Sequence, residues 1–76
     1  MSNQTIFEEI TAEADFAQGK HGSFASTHEA FGVLAEEVAE LLDEIRANSI
    51  EGVRREAIQV AAVAMRLAEK CDLLIR

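Results

Sequence analysis

The chain has 76 residues, 49% of them apolar and 28% charged, with no proline, tryptophan or tyrosine. That length allows a single domain and no more, and an isolated chain this short buries only about 60% of its surface, so a partner chain is expected. The composition is too apolar for a disordered segment and too polar for a membrane span, and a net charge of −7 removes the basic surface on which nucleic-acid affinity rests.

Strong helix formers dominate, and the apolar spacing is helical rather than alternating, which predicts an all-α domain of three helices over 1–76. The first runs from Thr5, which has capping-box spacing to Glu8, to about Gln18, with Ile6, Phe7, Ile10 and Phe16 as its apolar side; Gly19 and Gly22 end it. Ser26 and Glu29 make a second capping pair for a helix that carries Phe31, Leu34, Val38, Leu41, Leu42 and Ile45 and stops at about Ala47. Asn48 and Glu51 have the spacing to open the third, whose apolar stripe is Val53, Val60, Val63, Leu67 and Leu74. Two broad apolar stripes exceed what one short antiparallel pair covers. The second and third helices are therefore expected to form a four-helix bundle between subunits of a homo-oligomer, a dimer or tetramer, with Leu34, Val38, Leu41, Ile45, Val53, Val60, Val63 and Leu67 lining the seam.

The lone cysteine, Cys71, has no intramolecular disulfide partner and falls on the apolar side of the third helix. Met1-Ser2-Asn3-Gln4 has neither the charge nor the apolar run of a targeting leader, so the expected location is the cytoplasm, with no membrane and no nucleic-acid partner. Histidine is a common acid or base, but His21 and His28 each read more readily as a surface or helix-start residue.

The acidic residues have a more specific pattern. Glu37 and Glu40 are three apart on the second helix, so they share a face that borders its buried stripe, while Glu36 points further towards water. On the third helix Glu56 falls in the middle of the stripe made by Val53, Val60, Val63 and Leu67. An ionised carboxylate there needs a cation: an arginine among Arg54, Arg55 and Arg66, or a metal; the remaining option is a protonated core glutamate. If the helices are antiparallel, Glu37, Glu40, Glu56 and the amide oxygen of Gln59 converge into an oxygen-rich site that suits Mg2+, with Mn2+ also acceptable, and that lacks the nitrogen and sulfur ligands of zinc.

Glu36-Glu37-Val38-Ala39-Glu40, followed after fifteen residues by Glu56-Ala57-Ile58-Gln59, resembles the E-E-x-x-E and E-x-x-D motifs of the all-α nucleoside triphosphate pyrophosphatases, the MazG-like family. The resemblance extends over about His21 to Ala68, where His21-Gly22-Ser23-Phe24 and His28-Glu29-Ala30-Phe31-Gly32 look like the short phage and mobile-element members. It implies paired helices from associated subunits that bind magnesium and hydrolyse a nucleoside triphosphate to monophosphate and pyrophosphate. By the same resemblance Glu37, Glu40 and Glu56 are metal ligands, Gln59 occupies the fourth ligand position in place of aspartate, and Glu36 or Glu40 is the base that activates water. The missing charge at Gln59 leaves a second reading open: a nucleotide- or metal-binding helical oligomer of the same fold with little or no turnover.

Overall fold

Residues 3–75 are described by a computed structural model, and they form three α-helices with no strand among them: α1 (Asn3–His21), α2 (Thr27–Arg46) and α3 (Ile50–Ile75). Met1 and Ser2, part of the N-terminal stretch read above for a leader, lie outside the described residues. The chain stops and restarts twice, each time for a local reason. At Gly22 the backbone turns left-handed (φ 74°) and its N–H still donates to the carbonyl of Gln18 at 2.8 Å, so the glycine acts as a C-terminal cap. Gly19, expected to break the helix, is instead inside α1, and Thr5 falls within its first turn rather than ahead of it. One glycine within a continuous helix costs only about 1 kcal/mol, which packing along α3 outweighs.

At the start of α2 the capping box forms as read, with the Ser26 hydroxyl accepting from the N–H of Glu29 at 3.0 Å. The Glu29 carboxylate returns to the N–H of Ala25, also at 3.0 Å, one residue earlier than the usual reciprocal bond. The turn from α2 to α3 moves the expected cap by one position. Asn48 takes the left-handed conformation (φ 57°), and Ser49 caps α3, accepting from the N–H of Gly52 at 3.1 Å.

α3 is the spine: among the described residues α1 and α2 each pack against it and not against one another. The core between them is built from three alanines, two β-branched residues and one phenylalanine. Ala14, Phe24, Ala30, Ile58, Ala62 and Val63 are buried, and Val33, Leu34 and Leu67 pack on the cluster of Phe24, Ala30 and Val63. Of the eight residues assigned to the seam, Val63 is buried and Leu34, Leu41, Val53, Val60 and Leu67 are half-buried. Val38 and Ile45 remain about half exposed on the single chain, together with Leu42 and Phe31. Leu74, assigned to the α3 stripe, is exposed as well. Phe7, Phe16 and Phe31, placed by periodicity on the apolar sides of their helices, lie on the surface, and of the four phenylalanines only Phe24 is inside. The radius of gyration, 13.0 Å, exceeds the roughly 11 Å of an average compact chain of this length, which is the geometric counterpart of that exposed apolar surface. Among the described residues no helix is long and apolar enough to cross a membrane.

Candidate metal centre

The antiparallel passage of α2 against α3 brings Glu37, Glu40 and Glu56 together, each offering a carboxylate oxygen within 4.8 Å of the others. Glu37 and Glu40 come from adjacent turns of α2; Glu56 comes from the second turn of α3 and points out of the seam towards them. Glu37 and Glu56 are half-buried, the Glu56 side chain 14% exposed, and Glu40 is on the solvent side. Three carboxylates this close repel one another. Desolvation, then the charges of Glu40 and Glu56, raise the Glu37 pKa from 4.5 to about 7, so near neutrality this cluster holds a proton that an isolated glutamate would have lost.

Local cations compensate only in part. Arg55, immediately before Glu56, places its Nε 3.6 Å from Glu56 Oε1, while its other arm donates to Glu44 Oε1 at 3.2 Å. The second oxygen of Glu56 is buried and has no hydrogen-bond partner. A buried acceptor without a donor costs about 1–3 kcal/mol, more for a charged group, a cost that a positive charge placed among the three carboxylates would offset. Oxygen donors alone, borne by two helices and partly open to water, fit a hard divalent cation that keeps several of its waters.

Of the arginines weighed as partners for Glu56, only Arg55 is beside it. Arg54 forms a two-pronged pair with Glu9 on α1, which draws the Glu9 pKa below its ordinary value. Arg66 is 7% exposed and is committed elsewhere: it donates to the Gly22 carbonyl at 3.0 Å, reaches Gln18 Oε1 at 3.5 Å, and lies 4.2 Å over the ring of Phe24. Arg66 thereby fastens the α1–α2 loop to α3, a role its sequence position does not announce.

Gln59, one turn beyond Glu56, lines a groove of about 580 Å³ between α1 and α3, with Arg55, Arg54, Phe16 and Ile58 among its neighbours. Glu36 is exposed on α2 and is not one of the three converging carboxylates. His21 ends α1 and His28 stands in the first turn of α2, both exposed and both outside the cluster; Cys71 is half-buried and free. Glu44, which holds the other arm of Arg55, belongs to no motif. It sits over Gly52 and the Ser49 hydroxyl at the start of α3, where the helix dipole favours an anion, and its only sequence signal is its place one helical turn after Glu40. Comparison with family models, with curated proteins and with solved structures finds no match for this chain.

Proposed function

We propose that the protein is a Mg2+-dependent nucleoside triphosphate pyrophosphohydrolase of MazG-like type, cleaving a (deoxy)nucleoside triphosphate to the monophosphate and pyrophosphate. The observation that carries this reading is the convergence of Glu37, Glu40 and Glu56 around a buried, unpartnered Glu56 oxygen. The motif spacing supplies the reaction class, and the oxygen-only donor set agrees with the metal. Glu37, Glu40 and Glu56 would hold Mg2+, or Mn2+, with Gln59 as a candidate neutral fourth ligand. A divalent ion bound there neutralises phosphate charge and lowers the pKa of a coordinated water.

The chain's own groups supply the rest. Glu56 is held deep by the apolar stripe of α3, so its position is fixed before any ligand arrives. Glu37 carries the proton that must leave when a cation enters, which makes cation binding release protons near neutral pH. Glu40 is the exposed member of the three and has access to water, which suits it to accept a proton from the attacking molecule. Glu36, about 100° further round α2 than Glu37, is the alternative base and reaches the site only by an outward approach of substrate.

A homo-oligomer belongs to this reading. Phe31, Val38, Leu42 and Ile45 are exposed within an arc of about 60° on α2, a continuous apolar stripe of the kind that a second copy covers in a four-helix bundle. The cytoplasm is the expected compartment for such an enzyme and for its free thiol.

The second reading, a binding protein with little turnover, is favoured by one observation: Gln59 lines the α1–α3 groove and brings no charge to the cluster. Pyrophosphate release over a panel of ribo- and deoxynucleoside triphosphates, with Mg2+ and with Mn2+, decides between them. Release that depends on the metal and is lost in Glu56→Gln supports the enzyme. Nucleotide binding without release supports the second reading, and neither metal nor nucleotide binding removes both.

A further inference from the structure

The Glu56 carboxylate and the α1–α3 groove share a border. On α3, Arg55 and Gln59 are one turn apart and lie within about 100° of Glu56 on the same side, so they form the ridge between the carboxylate cluster and the α1–α3 groove. Arg55 touches both regions: it lines the groove and also reaches Glu56 and Glu44. Its side chain is 60% exposed, so it is held by two carboxylates without being locked in place. Neither contact is a two-pronged pair, unlike Arg54 with Glu9.

Charge fixes which part of a ligand belongs where. Glu9, Glu13 and Glu51 line the groove against Arg54 and Arg55, and Arg54 is already taken up by Glu9. The groove proper therefore repels phosphate and accepts an uncharged group that donates hydrogen bonds, such as a sugar or base. The ridge is different. A cation entering the cluster takes over the charge that Arg55 supplies to Glu56, and the guanidinium is then free to turn towards an anion bound beside the metal. The groove volume of about 580 Å³ is within the usual range for small-molecule sites.

We infer that Arg55 is the phosphate-contacting residue of the candidate site, held on Glu44 and Glu56 in the metal-free protein and transferred to a substrate phosphate when a metal–nucleotide complex binds, with Gln59 beside it on the ridge and the nucleoside in the α1–α3 groove. This rests on the metal reading proposed above. It assigns to Arg55 a job that a merely structural ion pair does not have, because its two carboxylates are then competitors of the substrate.

Calorimetric titration with Mg2+ alone, and then with Mg2+ and a nucleoside triphosphate whose α–β bridge is methylene, separates the two claims. Arg55→Gln should weaken analogue binding roughly ten- to a hundredfold, the range of one hydrogen bond to a charged group. It should leave binding of Mg2+ alone unchanged or tighter, since a competing cation has gone. Arg55→Lys should recover part of the loss, a point charge replacing a planar fork. Glu44→Gln should act in the opposite direction, tightening the analogue by about two- to fivefold because it releases a weak surface pair that holds Arg55 back. The inference is overturned if Arg55→Gln binds the analogue like the unmodified protein, or if it weakens Mg2+ alone to the same extent, which would make Arg55 a support for the cluster. It also falls if the unmodified protein binds Mg2+ and not the analogue. If Glu56→Gln leaves Mg2+ affinity unchanged, the metal reading fails instead, and the assignment of Arg55 fails with it.

Discussion

Two charged residues on α3, ten positions apart, are buried under opposite terms. Arg66 is surrounded by acceptors and an aromatic face: the Gly22 carbonyl, Gln18 and the ring of Phe24. Glu56 is surrounded by like charge, with one weak cation contact and an oxygen that nothing satisfies. The first arrangement is complete, and its energy goes into fixing a loop. The second is incomplete, and it leaves a buried acceptor and mutual repulsion in the fold. Burial of a charge alone does not separate structure from function; the state of its partners does.

The largest effect is expected where the arrangement is complete. Arg66→Ala removes the donor to Gly22, opens a gap over Phe24 and leaves the loop between Gly22 and Ser26 unfastened. The cost should be about 2–4 kcal/mol, summing one hydrogen bond to a charged group and a buried cation–π contact. A domain of this size should then melt roughly 10 °C or more below the unmodified protein. A shift of a degree or two would show that the loop holds without its clamp.

Glu56→Gln should do the reverse. Relieving repulsion among three carboxylates leaves the metal-free protein as stable as before or slightly more so, whereas the thermal stabilisation given by Mg2+ should fall. If the unmodified protein binds Mg2+ as proposed, that stabilisation should reach about 2.7 kcal/mol at a hundred times the dissociation constant. Thermal melts with and without Mg2+ measure both effects in one experiment. If the metal-free variant is instead destabilised by about 3–5 kcal/mol, Glu56 functions as half of a buried pair with Arg55, and the contrast with Arg66 disappears.

The contrast was only partly legible in the sequence. The displaced position of Glu56 follows from helical periodicity, because apolar neighbours at three-, four- and seven-residue spacing fix its direction, and Glu37 and Glu40 follow from the same rule. The order of the three helices follows from capping signals and glycines. Which glycine ends α1 does not: Gly19 and Gly22 carry the same local signal, and the clamp by Arg66, 44 residues on, is what fixes the turn at Gly22. Nor does the sequence assign three arginines to their partners. Arg54, Arg55 and Arg66 were equivalent candidates for Glu56, and the choice depends on where α1 crosses α3, a property of packing rather than spacing. The exposed Phe7, Phe16 and Phe31 are legible as apolar and illegible as surface, since periodicity gives a face without naming what covers it.

Acid titration offers a smaller and reversible test of the incomplete site. The Glu37 pKa is raised from 4.5 in the ordinary state to about 7 in the fold, so the folded protein binds the extra proton more tightly than the unfolded chain. Its contribution to stability is therefore complete below about pH 4.5 and is lost as pH rises through about 7. Without divalent ions the melting temperature should fall across that window; with saturating Mg2+ the fall should flatten or reverse, because the cation replaces the proton. Glu37→Gln should abolish the dependence. A melting temperature that changes identically with pH in Glu37→Gln and in the unmodified protein would assign the titration to other carboxylates.

The smallest effect concerns the edge of the site. A methyl group at Gly52 would collide with the Glu44 carboxylate and press on the Ser49 hydroxyl, both of them side-chain atoms. Gly52→Ala gains about 1 kcal/mol of helix propensity and loses a comparable amount from the weakened cap, so global stability should change by less than about 1 kcal/mol. The displaced Glu44 should nevertheless release Arg55. If Arg55 contacts phosphate, Gly52→Ala should therefore tighten a triphosphate analogue in the same direction as Glu44→Gln, with thermal stability nearly unchanged. Neither the three clustered carboxylates nor the groove lining is among the atoms nearest the added methyl group, so a gain in affinity without a gain in stability would trace to the position of one guanidinium. A variant that loses both stability and nucleotide affinity would show that Glu44 is part of the scaffold under the site, and that the boundary between its complete and incomplete charges lies closer to α2 than Arg55.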